Sequence, residues 1–128
     1  MPGTIVIVDD EPDMLMLLKI ILTEKTDYQV LTTSDPNQAL DWCRENHADL
    51  LISDLRMPQI GGIELLKMAK ELDPNLALII ITAFGTVESA VEAMRYNAFD
   101  YITKPFRKEQ ILTTVEKALR WRNAQPSA

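Results

Sequence analysis

Four places in the 128-residue chain put a group able to do chemistry at the point where an apolar run ends. Thr4–Val8 (TIVIV) runs into Asp9 and Asp10, and Leu50–Ser53 (LLIS) runs into Asp54. ALIIIT, residues 77–82, closes on Thr82, and FDYIT, residues 99–103, is followed by Lys104. Three carboxylates near one another cannot all stay ionised without a counter-charge. Oxygen donors that leave room for water and phosphate oxygens suit Mg2+. Lys104 offers a mobile positive charge for an anion, and Thr82 offers a hydroxyl donor. A carboxylate nucleophile, a divalent cation and an ammonium together describe phosphoryl transfer onto an aspartate. Asp54 taken alone is equally well an acid that leaves a strand and faces water, or one that caps a helix.

That chemistry requires the strand ends to lie side by side, and the pattern of elements supplies this. The short apolar runs, rich in β-branched residues, read as strands buried on both faces. YQVLTT, residues 28–33, makes a further strand. Between the strands lie helical patterns. The first enters at Pro12 behind three acids and runs to about Glu24, with Met14, Leu15, Leu17, Leu18, Ile21 and Leu22 as its stripe. The second starts at Ser34-Asp35-Pro36 and turns Ala39, Leu40 and Cys43 inward. The third follows Gly61-Gly62 with Ile63, Leu65, Leu66, Met68, Ala69 and Leu72, and stops at Asp73-Pro74. The fourth, Thr86 to Tyr96, directs Val87, Ala90, Val91 and Met94 inward and ends at Asn97, a residue that tolerates left-handed backbone. The fifth runs from Lys108 to about Asn123. Strands alternating with helices imply a parallel sheet, helices on both faces and right-handed crossovers. Every strand then delivers its carboxyl end to one edge, where open α/β sheets bind ligands. A closed barrel would need about 250 residues.

Composition narrows the class further. Apolar residues make up 47% and charged residues 25%, as in a globular domain, and a chain of this size removes roughly two-thirds of its unfolded surface from water on folding. A net charge of −6 argues against a nucleic-acid grip by this domain. No apolar run approaches the roughly 20 residues of a membrane span, and MPGTIVIV lacks the basic region of a secretory signal. One cysteine and one histidine make neither an internal disulfide nor a zinc site, which fits a cytoplasmic protein. Cys43 reads as core rather than a reactive thiol, and His47 as a residue at a helix end rather than a ligand or base. Gly3, Gly61, Gly62 and Gly85 are not spaced as a Walker loop or GxGxxG, so ATP is not the expected direct donor.

IVIVDDE, LLISDLRMP, IIITAF and DYITKPF resemble the successive motifs of the response-regulator receiver domain of bacterial two-component signalling. The resemblance covers residues 4–122, and ITAFGTVESAVEAM with AFDYITKPF is most similar to receivers of NtrC-class transcription activators. It implies the flavodoxin-like receiver fold: a five-stranded parallel sheet of order 2-1-3-4-5, doubly wound with five helices. Residues 1–123 form the receiver, and 124–128 a tail or the start of a linker. By resemblance Asp54 is the phosphoacceptor. Asp9 and Asp10, with Asp54 and the Arg56 backbone carbonyl, hold Mg2+. Lys104 contacts phosphate and precedes a cis peptide to Pro105, while Thr82 and Tyr101 form a switch pair. The implied donor is a phosphohistidine on a sensor histidine kinase. The implied setting is a longer regulator with an ATPase and a DNA-binding module downstream. Asn97 departs from the family, whose members usually carry Gly there, which bears on the helix end.

Two other functions fit parts of the pattern. A Mg2+-dependent phosphohydrolase with an aspartyl-phosphate intermediate would want an acid two residues after its nucleophile, where this chain has Arg56, and a substrate-capping segment, for which it has no length. A receiver-like module that is never phosphorylated would tend to lack the acid pair or the lysine, which are all present. Thr82 and Tyr101 are also acceptable as ordinary strand residues. On the last helix Ile111, Leu112, Val115, Ala118 and Leu119 share one stripe at 100° per residue, and Trp121 falls about 120° away. This makes Trp121 a candidate for the edge of a homodimer or domain-docking face, with a lone exposed aromatic as the alternative.

Overall fold

A computed structural model of the chain describes residues 3–126. Five strands and five helices alternate: β1 (Thr4–Val8), α1 (Pro12–Lys25), β2 (Gln29–Thr33), α2 (Pro36–Glu45), β3 (Leu50–Ser53), α3 (Gly62–Leu72), β4 (Ala77–Thr82), α4 (Val87–Arg95), β5 (Asp100–Thr103) and α5 (Lys108–Asn123). All pairings are parallel and the strand order is β2-β1-β3-β4-β5. Of the expected tail, Ser127 and Ala128 lie outside the described residues.

Side chains alternate across a strand, and the buried residues of the sheet divide accordingly. Ile5, Ile7, Leu50, Ile52, Ile79 and Ile81 join α1 and α5 in one core, while Val6, Val8, Leu51, Leu78 and Ile80 join α2, α3 and α4 in the other. At α2 the Asp35 side chain caps the helix by accepting from the Asn37 N–H at 2.9 Å, and Pro36 takes the first position. Cys43 is buried in the second core, where loss of hydration, helped by Asp73, pushes its thiol up to about 12. His47 is exposed just past α2, and Asn97 ends α4 with φ 70°.

The helical stripes are narrower than the apolar patterns suggest. In α1, Leu18, Ile21 and Leu22 are buried, but Leu17 is turned to solvent, one hundred degrees of helix away from Leu18. In α3, Met68 is likewise exposed. The largest correction is α4. Val87, Val91 and Met94, expected inside, are 82%, 52% and 49% exposed, and Ala93 is the one fully buried residue of the helix. The helix is rotated so that only the alanine edge of its apolar arc meets the sheet. Small side chains let the backbone approach closely there, leaving the valines and the methionine outside. Trp121 is a correction of the opposite sign. It is half-buried, its ring lies 6.2 Å from that of Phe99, and the Lys70 ammonium sits 5.0 Å above it.

Candidate functional site

The register brings the chemical groups together. Val8 pairs with Thr33 and with Ser53, so Asp9 and Asp54 are the next residues of adjacent strands. Both stay fastened to the sheet: Asp9 N–H donates to the Thr33 carbonyl and Asp54 N–H to the Val8 carbonyl, each at 3.2 Å. On the other side Thr82 pairs with Thr103, and Lys104 N–H donates to the Thr82 carbonyl at 2.8 Å. The loop then turns through a cis peptide between Lys104 and Pro105, as the family resemblance implies.

Two strand-end carboxylates and Glu11 meet at the Lys104 ammonium. The Lys104 ammonium donates to Asp9 Oδ2 at 3.0 Å, to Glu11 Oε1 at 3.0 Å and to Asp54 Oδ2 at 3.3 Å. Asp9 and Asp54 are each 2% exposed. Burial of two carboxylates is costly unless hydrogen bonds and an opposite charge offset it. The offset is visible here. Asp54 Oδ1 accepts the Leu55 N–H at 2.6 Å and a longer contact from the Arg56 N–H at 3.4 Å, and Asp9 Oδ1 accepts the Glu11 N–H at 2.9 Å. Burial still holds the Asp9 carboxyl above its usual range, against the Glu11 N–H and Lys104, which pull it down. For Lys104, burial would lower the ammonium, but the carboxylates of Asp9, Glu11 and Asp54 outweigh it and raise it. The carboxylates thus favour the charged ammonium.

Glycine shapes the wall beside Asp54. A Cβ on Gly62 would come within 2.4 Å of the Asp54 carbonyl oxygen, so α3 can start this close to the acid only with glycine there. Thr82 is fully buried, and its Oγ1 accepts the Phe84 N–H at 3.1 Å, which tethers the β4–α4 loop. The Arg56 guanidinium lies 4.6 Å above the Phe84 ring, joining the loops after β3 and β4. Tyr101 is half-buried, its hydroxyl 2.7 Å from Ser89 Oγ at the start of α4.

Asp9, Glu11 and Asp54 place carboxylate oxygens within 4.8 Å of one another. An all-oxygen set of this kind fits a hard divalent cation such as Mg2+. Asp10, expected among the metal ligands, is exposed and stands outside that trio, whereas Glu11, which the sequence suggested only as an acid at a helix start, is inside it. The signal was present in DDE: three consecutive acids after a strand offer a third carboxylate to the same edge. Nothing in the spacing pointed to Ser89 or to the Arg56–Phe84 contact, because both depend on how two loops fold together.

A parallel sheet of this order, with acids, a threonine and a lysine on its carboxyl edge, defines a receiver-type domain, and comparison with known proteins agrees. Residues 5–116 match the response regulator receiver domain family, and the chain belongs to it. It is 38% identical over 115 residues to the transcriptional regulatory protein ZraR of Escherichia coli K12, covering 90% of this chain and 26% of that protein. It is 34% identical over 117 residues to the DNA-binding transcriptional regulator NtrC of Proteus hauseri, covering 91% and 24%. The chain thus spans about a quarter of the length of these curated relatives. Among solved structures, a receiver domain protein from Clostridium thermocellum matches with TM-score 0.87 and 30% identity over 94% of this chain and 97% of that one. The beryllofluoride-activated NtrC4 receiver domain dimer matches with TM-score 0.88 and 29% identity over 93% and 98%. The chain is therefore a two-component receiver domain related to NtrC-type activators, a class of signalling switches rather than classical enzymes. Among the described residues no helix is long and apolar enough to cross a membrane.

Proposed function

We propose that Asp54 accepts a phosphoryl group from a phosphohistidine on a partner sensor histidine kinase, and that the resulting change in charge switches a transcriptional output in the cytoplasm. The observation that carries this is the Lys104 ammonium set among Asp9, Glu11 and Asp54 in a buried crevice. An Asp54 carboxylate oxygen attacks phosphorus, the phosphorus–nitrogen bond breaks, and the histidine ring leaves with the electron pair. Lys104 follows the charge onto the transferred oxygens, and the Leu55 and Arg56 N–H groups keep the carboxylate oriented. Asp9, Asp10, Asp54 and the Arg56 carbonyl are the groups assigned to Mg2+, with Glu11 beside them. The ion, when bound, neutralises the acids and the incoming phosphate. The Thr82 hydroxyl then donates to a phosphoryl oxygen and draws residues 83–85 inward, and Tyr101 answers that movement.

The output surface in this proposal is the face of α4, β5 and α5. Val87, Val91 and Met94 form its exposed apolar centre. The occupant is a second copy of the chain or the ATPase and DNA-binding domains of a longer regulator. Incubation with acetyl phosphate and Mg2+ tests the chemistry. Intact mass should rise by one phosphoryl group in the wild type and not in Asp54→Asn, and equal labelling of the variant overturns the assignment.

A further inference from the structure

The helix that the proposed switch must move is lightly held. Ala93 is the one residue of α4 that is fully buried. What defines its first turn is a capping box. Thr86 Oγ1 accepts the Ser89 N–H at 3.0 Å, and Ser89 Oγ accepts the Thr86 N–H at 3.0 Å. Ser89 Oγ also lies 3.0 Å from the Thr86 carbonyl, 3.1 Å from Thr86 Oγ1 and 2.7 Å from Tyr101 Oη. A hydroxyl has one proton and two lone pairs. If Ser89 donates to the Thr86 carbonyl, one lone pair serves the Thr86 N–H and the other is open to the phenol, whose contact is the shortest of the four. Tyr101, on β5, is thereby tied to the capped first turn of α4.

The same ring is closely fitted to the loop that Thr82 controls. A Cβ on Gly85 would lie 2.7 Å from Tyr101 Oη and 3.0 Å from Tyr101 Cε1, so the ring occupies its place only because residue 85 is glycine. Gly85 thus lies against the ring, and the ring is tied to Ser89. We infer that Ser89 is a positioning residue of the switch: its hydroxyl latches Tyr101 to the capped end of α4 and opposes the loop movement that phosphorylation of Asp54 requires. The inference rests on the Asp54 reading above. By linkage, breaking the latch makes the activated arrangement easier to reach and tightens whatever binds that arrangement.

The test is the affinity of the 128-residue chain for beryllofluoride with Mg2+, followed by nuclear magnetic resonance in wild type, Ser89→Ala, Tyr101→Phe and the double variant. Tyr101→Phe removes the hydroxyl and leaves the capping box intact, so it separates the latch from the cap. Each single variant should bind about fivefold more tightly, the scale of one hydrogen bond. The double variant should bind no more tightly than either single. Unchanged or weaker binding in the singles, or effects that multiply in the double, overturns the latch while leaving Asp54 as the acceptor. No binding by the wild type, or equal binding by Asp54→Asn, overturns the Asp54 reading and the latch with it.

Discussion

Lys104 is the residue on which the chemistry converges, because one ammonium is the shared partner of two buried carboxylates and one exposed carboxylate. It leaves the acids unequal. The Glu11 carboxylate is engaged by Lys104, whereas Asp10 has no side-chain partner among the described residues and is free to turn onto an ion. Asp10→Asn should therefore weaken Mg2+ binding about tenfold, and Glu11→Gln should weaken it less. Magnesium titrations of the two variants check this, and the reverse order would make Glu11 the ligand. Asp9 has a second consequence. Its carboxyl is raised by burial, so the folded chain holds that proton more tightly than the unfolded one does. Ionised Asp9 thus costs stability above its folded pKa, and the cost vanishes below the ordinary aspartate pKa, where both states are protonated. Asp9→Asn should stabilise the fold near pH 7, with the gain fading as pH falls toward 4. Urea unfolding across that range measures it, and a gain that grows on acidification would contradict the cause given.

Among the elements, α4 and α5 divide the apolar surface differently from what their sequences suggest. Val87, Val91 and Met94 recur at helical spacing, and periodicity alone reads such a stripe as buried. The structure turns it outward because Ala93 lets the helix seat on its smaller edge. Val91→Ser should change thermal stability little, since exposed side chains rarely contribute more than about 0.5 kcal/mol. It should also weaken self-association of the phosphorylated chain, as sedimentation would show, and an unchanged monomer–dimer balance would remove α4 from the interface. Trp121 behaves in the opposite way. Its ring packs on Phe99 under Lys70, so Trp121→Ala should cost about 2 kcal/mol of folding stability, a loss that no solvent-facing tryptophan would give. The strands were the most legible elements. TIVIV, LLIS and ALIIIT are buried on both faces and bounded by acids or a threonine, and their limits match the structure residue for residue. Helix faces were less legible, because which part of a wide apolar arc is used depends on the side chains of the neighbouring element.

For the whole molecule, the sheet order and register account for most of the site. With β1 between β2 and β3, the residues following Val8 and Ser53 become neighbours, and β4 and β5 bring Thr82 and Lys104 to the same edge. Asp9, Asp54, Thr82 and Lys104 could thus be named from strand ends alone. The roles of Ser89 and the Arg56–Phe84 contact could not, since they arise from loops meeting across that edge. Locating the phosphoryl group tests whether this edge makes Asp54 alone the acceptor. The chain is phosphorylated with acetyl phosphate and Mg2+, reduced with borohydride, which converts an aspartyl phosphate to homoserine, and mapped by peptide mass spectrometry. Homoserine is expected at position 54, with Asp9, Asp10 and Glu11 unmodified. Homoserine at position 9 or 10, or a phosphoryl group that resists borohydride on a serine or threonine, would contradict it.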